Sequence, residues 1–462
     1  MGGAERVVAT LANHLVNYRS VEIILLEKGK FYHLDPRIKI TYLSNFSGEE
    51  SSLLKLLFLP FLALKLKKYL KRFTFPILQS HLLRANYVNI LAKLMGSRHI
   101  AQIVIPGALN FYLKGIKNRF NLFLIKLLFP KTDLIVWKSR MMAFCGIELL
   151  FGIKAKGIIL KNRVFLNQDK PSKIQPVEFL KQELTKSPKT QPIDIFQNRI
   201  VDTSQNQIIS NHLFKSNLQR FKKIPFQFII PNPVDISKIQ KMGRESVTDF
   251  CFNPNKVYLI TVGRIALPKR QEWLIQTMVL LPSFYHLILI GDGPRLEELK
   301  GLTEKLSLSN RVTFLGRQQN PFKYITRSHL FLFASESEGF PNVLIEALAC
   351  KVPIISSDTI SGPREIIAPK TDLTLQLQPK DGIEIGDVGV LYPMGDREGL
   401  KKGIEILTNN QTLYNRLKKQ SEERVLEFSL NKIANYYSSL FNLSFFKSSA
   451  LQNSSSSILD RL

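Results

Sequence analysis

The stretch "HLFLFASESEGFPNVLIEALAC", His329 to Cys350, joins an apolar run to an apolar helical pattern through a short polar loop. "HLFLFAS" predicts a buried strand, and Pro341 marks the first turn of a helix, where proline is favoured. The order strand, loop, helix predicts one unit of a parallel sheet. The unit carries two carboxylates, Glu338 in the loop and Glu346 in the helix.

The same alternation continues on both sides of this stretch. Apolar runs at 256–264, 284–294 and 352–357 predict further strands, and amphipathic segments between them predict helices. Strands that alternate with helices are typical of a parallel sheet covered on both faces. We therefore predict an α/β fold with a Rossmann-like domain in the second half, and a noisier alternation predicts a second such domain in the first half.

Composition marks the boundaries of these domains. "PNPVD" at 231–235 follows an apolar strand and is interpreted as a proline-stiffened linker. A Lys-, Gln- and Pro-rich stretch predicts a flexible insertion, and a Ser-rich end predicts a disordered tail. The predicted organisation is an N-terminal domain over 1–235 with the insertion at about 161–198, a C-terminal domain over 236–430, a helix at 431–446 that packs back on the N-terminal domain, and the tail at 447–462.

The overall charge limits the possible partners. The 462 residues carry a formal net charge of +27, which indicates a nucleic acid, an anionic membrane or an anionic substrate. No zinc finger, RNP motif or helix-turn-helix is present, so we expect no nucleic acid partner. The three cysteines show no metal or disulfide spacing, which predicts a reducing compartment and no metal site. We find no signal peptide and no apolar run of about 18 residues, so the sequence predicts no membrane span.

The basic residues are concentrated in "SSLLKLLFLPFLALKLKKYLKRF", Ser51 to Phe73. Leucines and phenylalanines alternate here with cations, and no acid interrupts them. The pattern predicts a helix pair whose basic face lies on an anionic membrane surface, although an ordinary helix with solvated lysines is the alternative. The cations of this face are Lys67, Lys68, Lys71 and Arg72.

The two glutamates are placed to bind one ligand at two points. Glu338 follows the strand at its carboxyl end, where open parallel sheets hold their ligands. Glu346 lies farther along the helix, at about 1.5 Å per residue, so the pair is not a proton-sharing dyad. The helix start between them offers unpaired N–H groups and a positive dipole end, which favour a phosphate.

Cations and glycines end the neighbouring strands at the same predicted edge. Arg264 and Lys269 follow one strand and would neutralise a diphosphate, stabilising it as a leaving group. Glycines at such positions let a planar base approach the backbone. The strand-end residues in question are Gly263, Gly291, Gly293, Gly316 and Arg317.

Four segments together resemble the donor-binding half of the retaining glycosyltransferases of family 4, which have the two-domain GT-B fold. They are "VGRIALPKRQEWLI", "LILIGDGPRLEEL", "VTFLGRQQNPFKYI" and "SESEGFPNVLIEALACKVPIISSDTISGPREII". The resemblance is dense over 257–393 and implies two Rossmann-like domains facing across a cleft. In the family "GGAER" follows a first strand, but here Met1 directly precedes Gly2 and Gly3, so the N-terminal domain is expected to lack that strand.

The resemblance also implies roles for the donor-side residues. Glu338 and Glu346 match the two acids of the family's E-x7-E motif, which contact the transferred sugar and the ribose. Arg264 and Lys269 match the cations that bind the diphosphate, and Gly316 with Arg317 would contact the base. The remaining donor-binding candidates are Gly339, Phe340 and Asn342.

On the acceptor side the candidates are Gly2, Gly3, His81 and Arg84. The implied reaction moves a sugar, with retention, from a nucleotide sugar to a glycan or lipid-linked acceptor in lipopolysaccharide or capsule biosynthesis. A UDP-sugar is the favoured donor, and no cofactor or metal is expected. The implied location is cytoplasmic, peripheral on the inner face of the plasma membrane.

The sequence raises two alternative functions. A nucleotide-dependent dehydrogenase would need G-x-G-x-x-G, and "GDGPRL" lacks the third glycine. A truncated, inactive glycosyltransferase-like subunit that binds nucleotide is the alternative motivated by the missing strand. In "SGPREII", Arg364 and Glu365 lie either near the donor or in a purely structural position.

Overall fold

The computed structural model describes residues 3–29, 32–47, 50–73, 76–105, 107, 109, 116–151, 199–202, 207–210 and 225–441. The chain divides into two compact units, Met1–Pro233 with Asn431–Leu462, and Val234–Leu430. The predicted insertion at 161–198, the predicted tail at 447–462 and Gly2 lie outside the described residues.

The first unit contains two sheets. Its strands are β1 (Glu22–Leu25), β2 (Lys39–Tyr42), β3 (Ile77–His81), β4 (Ile100–Val104), β5 (Leu134–Trp137), β6 (Arg199–Asp202), β7 (Gln207–Ser210) and β8 (Phe226–Ile229). The larger sheet has the order β3-β4-β5-β8-β6-β7 and is parallel except where β6 meets β7.

β1 and β2 form a parallel sheet of their own. Among the described strands, β1 pairs only with β2 and β3 only with β4. The helix that precedes β1 begins at Gly3. The single sheet expected for this half is therefore divided in two over the described residues.

Helices cover the sheets of this unit. They are α1 (Gly3–Leu15), α2 (Ser52–Leu57), α3 (Leu59–Leu70), α4 (Leu83–Leu94), α5 (Ile116–Leu128) and α6 (Arg140–Phe151). The helix pair predicted within 51–73 is confirmed as α2 and α3. Ser51 caps α2 by accepting from the N–H of Leu54, and a proline stands in the first turn of α3.

The second unit is built on one sheet of seven strands, with the order β11-β10-β9-β12-β13-β15-β14, in which only the β14 and β15 pair is antiparallel. The strands are β9 (Val257–Val262), β10 (Tyr285–Ile290), β11 (Val312–Phe314), β12 (Leu330–Phe333), β13 (Ile354–Ser357), β14 (Glu384–Ile385) and β15 (Gly389–Tyr392). The predicted Rossmann-like alternation is confirmed.

Its helices are α7 (Ile236–Gly243), α8 (Gln271–Thr277), α9 (Leu296–Lys305), α10 (Phe322–Ile325), α11 (Asn342–Ala349), α12 (Pro363–Ile367), α13 (Arg397–Asn409) and α14 (Gln411–Arg424). A further helix, α15, covers residues 430–441, and from Asn431 onward it belongs to the first unit. The sheet is covered on both faces. Leu259 and Ile260, successive residues of β9, are both fully buried and belong to different core clusters. Burying each such side chain contributes about 1.5–3 kcal/mol.

The register brings three strand ends together at one edge. β9 pairs in parallel with β10 on one side and with β12 on the other. The loops that leave the carboxyl ends of these strands carry most of the predicted donor-site residues. The edge of the sheet, rather than any single motif, therefore assembles the candidate site.

Candidate active site

Lys269 and Glu338 are brought together at this edge. Lys269 ends a 3-10 turn (Leu267–Lys269) after β9, and Glu338 lies in the loop after β12. Nζ of Lys269 donates to Oε1 of Glu338, and the glutamate side chain is 12% exposed. Nζ also lies 5.8 Å from the centre of the Phe333 ring. The predicted sugar-binding acid and the predicted phosphate-binding cation are therefore in direct contact.

Backbone and side-chain bonds fasten these two loops to each other. The N–H of Glu336 donates to the carbonyl of Pro268 at 2.8 Å, and Oγ of Ser335 donates to the same carbonyl at 3.0 Å. Nε of Arg270 donates to Oε2 of Glu336 at 3.0 Å. Arg270 has φ +49°, a left-handed conformation that costs a non-glycine residue free energy and marks a constrained turn. Sequence analysis missed Arg270 and Glu336.

The helix after Glu338 is α11. Pro341 precedes its first residue, Asn342, as the sequence predicted. Glu346 lies in the second turn and is 7% exposed, so its carboxylate is largely buried. Phe340 is buried with its ring 5.5 Å from that of Phe428. Its side chain is thus part of the hydrophobic core.

The remaining predicted cations of this unit are exposed. The side chain of Arg264 is open to solvent, and within the described residues its guanidinium makes no ion pair. The carbonyl of Arg264 accepts from Nε2 of Gln271 at 3.0 Å, which fixes its backbone. Arg317 is also exposed. Both can reach an anion without breaking an internal bond.

The predicted glycines are accommodated in the structure for different reasons. A Cβ on Gly291 would lie 1.8 Å from the carbonyl oxygen of Gly263, and one on Gly293 would lie 2.1 Å from that of Ile265. Because these residues lack a side chain, the ends of β9 and β10 can approach each other. The sequence interpretation explained the glycines by the approach of a planar base and did not foresee this packing. Gly263 itself faces open space, and Gly316 has φ +63° in a turn.

On the predicted acceptor side, His81 ends β3 as expected. Its Nε2 lies 2.7 Å from Nε2 of Gln79, which can only donate, so the imidazole nitrogen accepts. Burial, with a smaller contribution from Lys138, lowers the pKa of His81 to about 3. His81 is therefore a neutral ring at physiological pH. Arg84 instead pairs with Glu27 at 2.8 Å.

Lys138 has the burial and the polar contact of a functional residue, although the sequence analysis did not single it out. It follows β5 directly and is 3% exposed, and its Nζ donates to the Tyr437 hydroxyl at 2.7 Å. Burial lowers its pKa to about 7. The signal in the sequence was a lysine directly after the apolar strand "LIVW", at the sheet edge that also holds His81.

The described part of the chain shows neither a metal-binding cluster nor a membrane-spanning helix. Within those residues, no group of three or more His, Cys, Asp or Glu side chains is arranged to hold a metal ion. No described helix has the length and apolar character that crossing a membrane requires.

Comparison with known proteins agrees with this geometry. The family model "Glycosyl transferases group 1" matches residues 248–424, which include the edge that carries Lys269 and Glu338. The chain is a glycosyltransferase. It is 27% identical over 437 residues, 94% of each chain, to the N-acetylgalactosamine-N,N'-diacetylbacillosaminyl-diphospho-undecaprenol 4-alpha-N-acetylgalactosaminyltransferase of Campylobacter jejuni.

Solved structures identify the fold of the glycosyltransferase as GT-B. Anabaena HepE in complex with UDP and glucose superposes with a TM-score of 0.61 at 16% identity, covering 96% of each chain. Sucrose-phosphate synthase of Thermosynechococcus elongatus superposes with a TM-score of 0.65 at 16% identity, covering 96% of this chain and 94% of the other. The predicted fold class, with two Rossmann-like domains, is confirmed.

Proposed function

We propose that this glycosyltransferase is a retaining enzyme of family 4 that transfers a sugar from a UDP-sugar to a lipid-linked acceptor. The observation that carries the proposal is the meeting of Lys269 and Glu338 at the ends of β9 and β12, beside the start of α11. A sugar diphosphate requires three groups close together. A cation and a helix N-terminus bind its phosphates, and an acid binds the hydroxyls of its sugar.

Each group has one part in the proposed reaction. The bond between the sugar's C1 and the β-phosphate oxygen breaks, and a bond from C1 to the acceptor oxygen forms on the same face. The acceptor's proton ends on the departing phosphate. Arg264 and Lys269 stabilise the negative charge that develops on the diphosphate. Glu338 binds hydroxyls of the transferred sugar, and Glu346 binds the ribose.

The comparisons support a chemical class for the donor and for the acceptor. HepE was solved with UDP, which favours a UDP-sugar over a GDP-sugar. The Campylobacter jejuni relative is named for a diphospho-undecaprenol acceptor, which favours a lipid-linked acceptor here. We propose that the two cations perform the charge stabilisation without a metal, so turnover should persist in EDTA.

We further propose that α2 and α3 hold the enzyme on the inner face of the cytoplasmic membrane. Leu57, Phe61 and Leu64 are 68%, 49% and 52% exposed, so large apolar side chains face solvent along this pair of helices. Beside them, Lys67, Lys71 and Arg98 line one surface pocket. Apolar anchors flanked by cations suit an anionic bilayer surface, where a lipid-linked acceptor is held.

The test is a donor and acceptor panel. UDP-N-acetylgalactosamine, UDP-N-acetylglucosamine, UDP-galactose and GDP-mannose are each incubated with an undecaprenyl-diphosphate-linked saccharide, and nucleotide release is measured. One UDP-sugar should turn over, the product should keep the donor's anomeric configuration by NMR, and Glu338→Ala should lose turnover. UDP binding with no turnover on any acceptor would instead support the inactive, nucleotide-binding alternative.

A further inference from the structure

The segment that follows β13 is closed by a buried ion pair. Asp358 is fully buried directly after the strand, and Arg364, in α12, is 2% exposed. Nε and Nη2 of Arg364 donate to the two carboxylate oxygens of Asp358 at 3.0 and 2.6 Å, a bidentate pair. Nη1 donates to Glu384 at 2.8 Å. The pair thus joins both ends of the loop 358–364 and limits its freedom.

Ser361 lies at the middle of this closed loop. It is 3% exposed, and its Oγ donates to the carbonyl oxygen of Glu338 at 2.6 Å, with the carbonyl of Gly339 also near at 3.1 Å. Gly362, at φ +88°, approaches so closely that a Cβ there would lie 2.5 Å from Cδ of Pro341. The closed loop is therefore packed directly on the backbone that carries Glu338.

We propose that Ser361, held by the Asp358–Arg364 pair, is a positioning residue that fixes the Glu338 carboxylate for the transferred sugar. The inference rests on the function proposed above. Lys269 holds Glu338 through its side chain and Ser361 holds it through its backbone, so two independent groups define the place of one carboxylate. Small displacements of a group that binds the reacting sugar lower the rate of transfer strongly.

The first test separates turnover from nucleotide binding. In Ser361→Ala, kcat for sugar transfer should fall by about tenfold or more, because the Glu338 carbonyl loses its buried donor. The Kd for free UDP should stay within about twofold, because UDP lacks the sugar that Glu338 binds. Ser421→Ala is the matched control, since that serine is also buried in this unit and donates to the Leu417 carbonyl at 2.8 Å. It should leave kcat unchanged.

The second test asks whether Ser361 acts through Glu338. In the background of Glu338→Ala, adding Ser361→Ala should cause no further loss of residual turnover, because the group being positioned is gone. A full additional loss in the double variant, or a kcat within twofold of wild type in Ser361→Ala, would overturn the inference. If Ser361→Ala unfolds at a lower temperature than Ser421→Ala, Arg364→Lys replaces it, since lysine keeps the charge but not the bidentate geometry.

Failure of this inference is distinguishable from failure of the proposed function. Wild-type turnover in Glu338→Ala contradicts the proposed function itself and overturns the inference with it. Loss of turnover in Glu338→Ala, together with a kcat within twofold of wild type in Ser361→Ala, or in Arg364→Lys where that variant replaces it, overturns only the positioning role.

Discussion

Lys269 and Glu338 form an ion pair although they are 69 positions apart in the chain. The pair exists because β9 and β12 are neighbours in the sheet and run parallel, so their following loops leave at the same edge. The lysine side chain keeps 31% exposure, while the glutamate side chain keeps 12%. The cation therefore remains open toward a ligand, and the acid is held beside it.

Replacing the lysine should weaken nucleotide binding. Lys269→Met removes one charge-assisted contact to the diphosphate, and such contacts are worth about 1.5–3 kcal/mol, so the Kd for UDP should rise by about tenfold or more. Calorimetric titration with UDP measures the change. Lys300→Met is the control, because Lys300 pairs with Glu297 on α9 and lies outside the proposed site. Equal UDP affinity in Lys269→Met and wild type would contradict a phosphate-binding role.

The close approach of β9 and β10 makes Gly291 irreplaceable. Gly291→Ala would force a Cβ to 1.8 Å from the Gly263 carbonyl at φ +150°, so we expect destabilisation of about 2 kcal/mol or more. Gly301→Ala is the control, because that glycine lies in α9 with nothing within 4 Å of the added Cβ. It should be neutral or stabilising by up to about 1 kcal/mol. Thermal unfolding of both variants measures the contrast, and equal midpoints would contradict the packing explanation.

The buried Lys138 should make stability depend on pH in a defined direction. Its pKa is about 7 in the folded protein because of burial, against about 10.5 in an unfolded chain. Between these values the unfolded state binds more protons, so the free energy of unfolding rises with pH. Relative to Lys138→Met, the wild type should gain about 2 kcal/mol between pH 7 and pH 9.

Urea unfolding of the two proteins at both pH values gives this difference. Subtracting the variant removes the contribution of every other titrating group. A wild-type minus variant difference that does not change from pH 7 to pH 9 would show that the ammonium of Lys138 is not destabilised by burial.

The apolar face of α2 and α3 should control membrane association. Phe61→Ser with Leu64→Ser should strongly reduce co-flotation with vesicles that contain phosphatidylglycerol, because both side chains are about half exposed and available to the bilayer. Leu426→Ser is the control, because that leucine is 57% exposed in the other unit. Raising the salt concentration should weaken binding of the wild type as well. Equal flotation of the double variant and the control would remove α2 and α3 from the proposal.

Much of the candidate site could be predicted from the sequence because it is local. The strand, loop and helix from 329 to 350 are encoded by an apolar run, a polar loop and Pro341, and the structure has them as β12 and α11. The same holds for β9 and β10 and their glycine ends. Hydrophobic periodicity and proline placement act over a few residues, so they are visible in one sequence.

The order of the strands in the sheet is not local. Nothing within the segments of β9 and β12 says that they are neighbours, and the contact of Arg270 with Glu336 depends on that order. The role of "SGPREII" was open for the same reason. Its arginine is buried against Asp358 and Glu384, and the second of these lies 20 positions away on an edge strand.

The sequence by itself determined the class of the domains, the positions of the loops that carry Glu338 and Lys269, and the helix that begins beside them. The tertiary structure alone decided that these two side chains pair, that Lys138 is buried beside Tyr437, and that Ser361 binds the Glu338 backbone. The physical reason is that burial and ion pairing depend on which distant segments the sheet places side by side. Local patterns of apolar and polar residues do not contain that information.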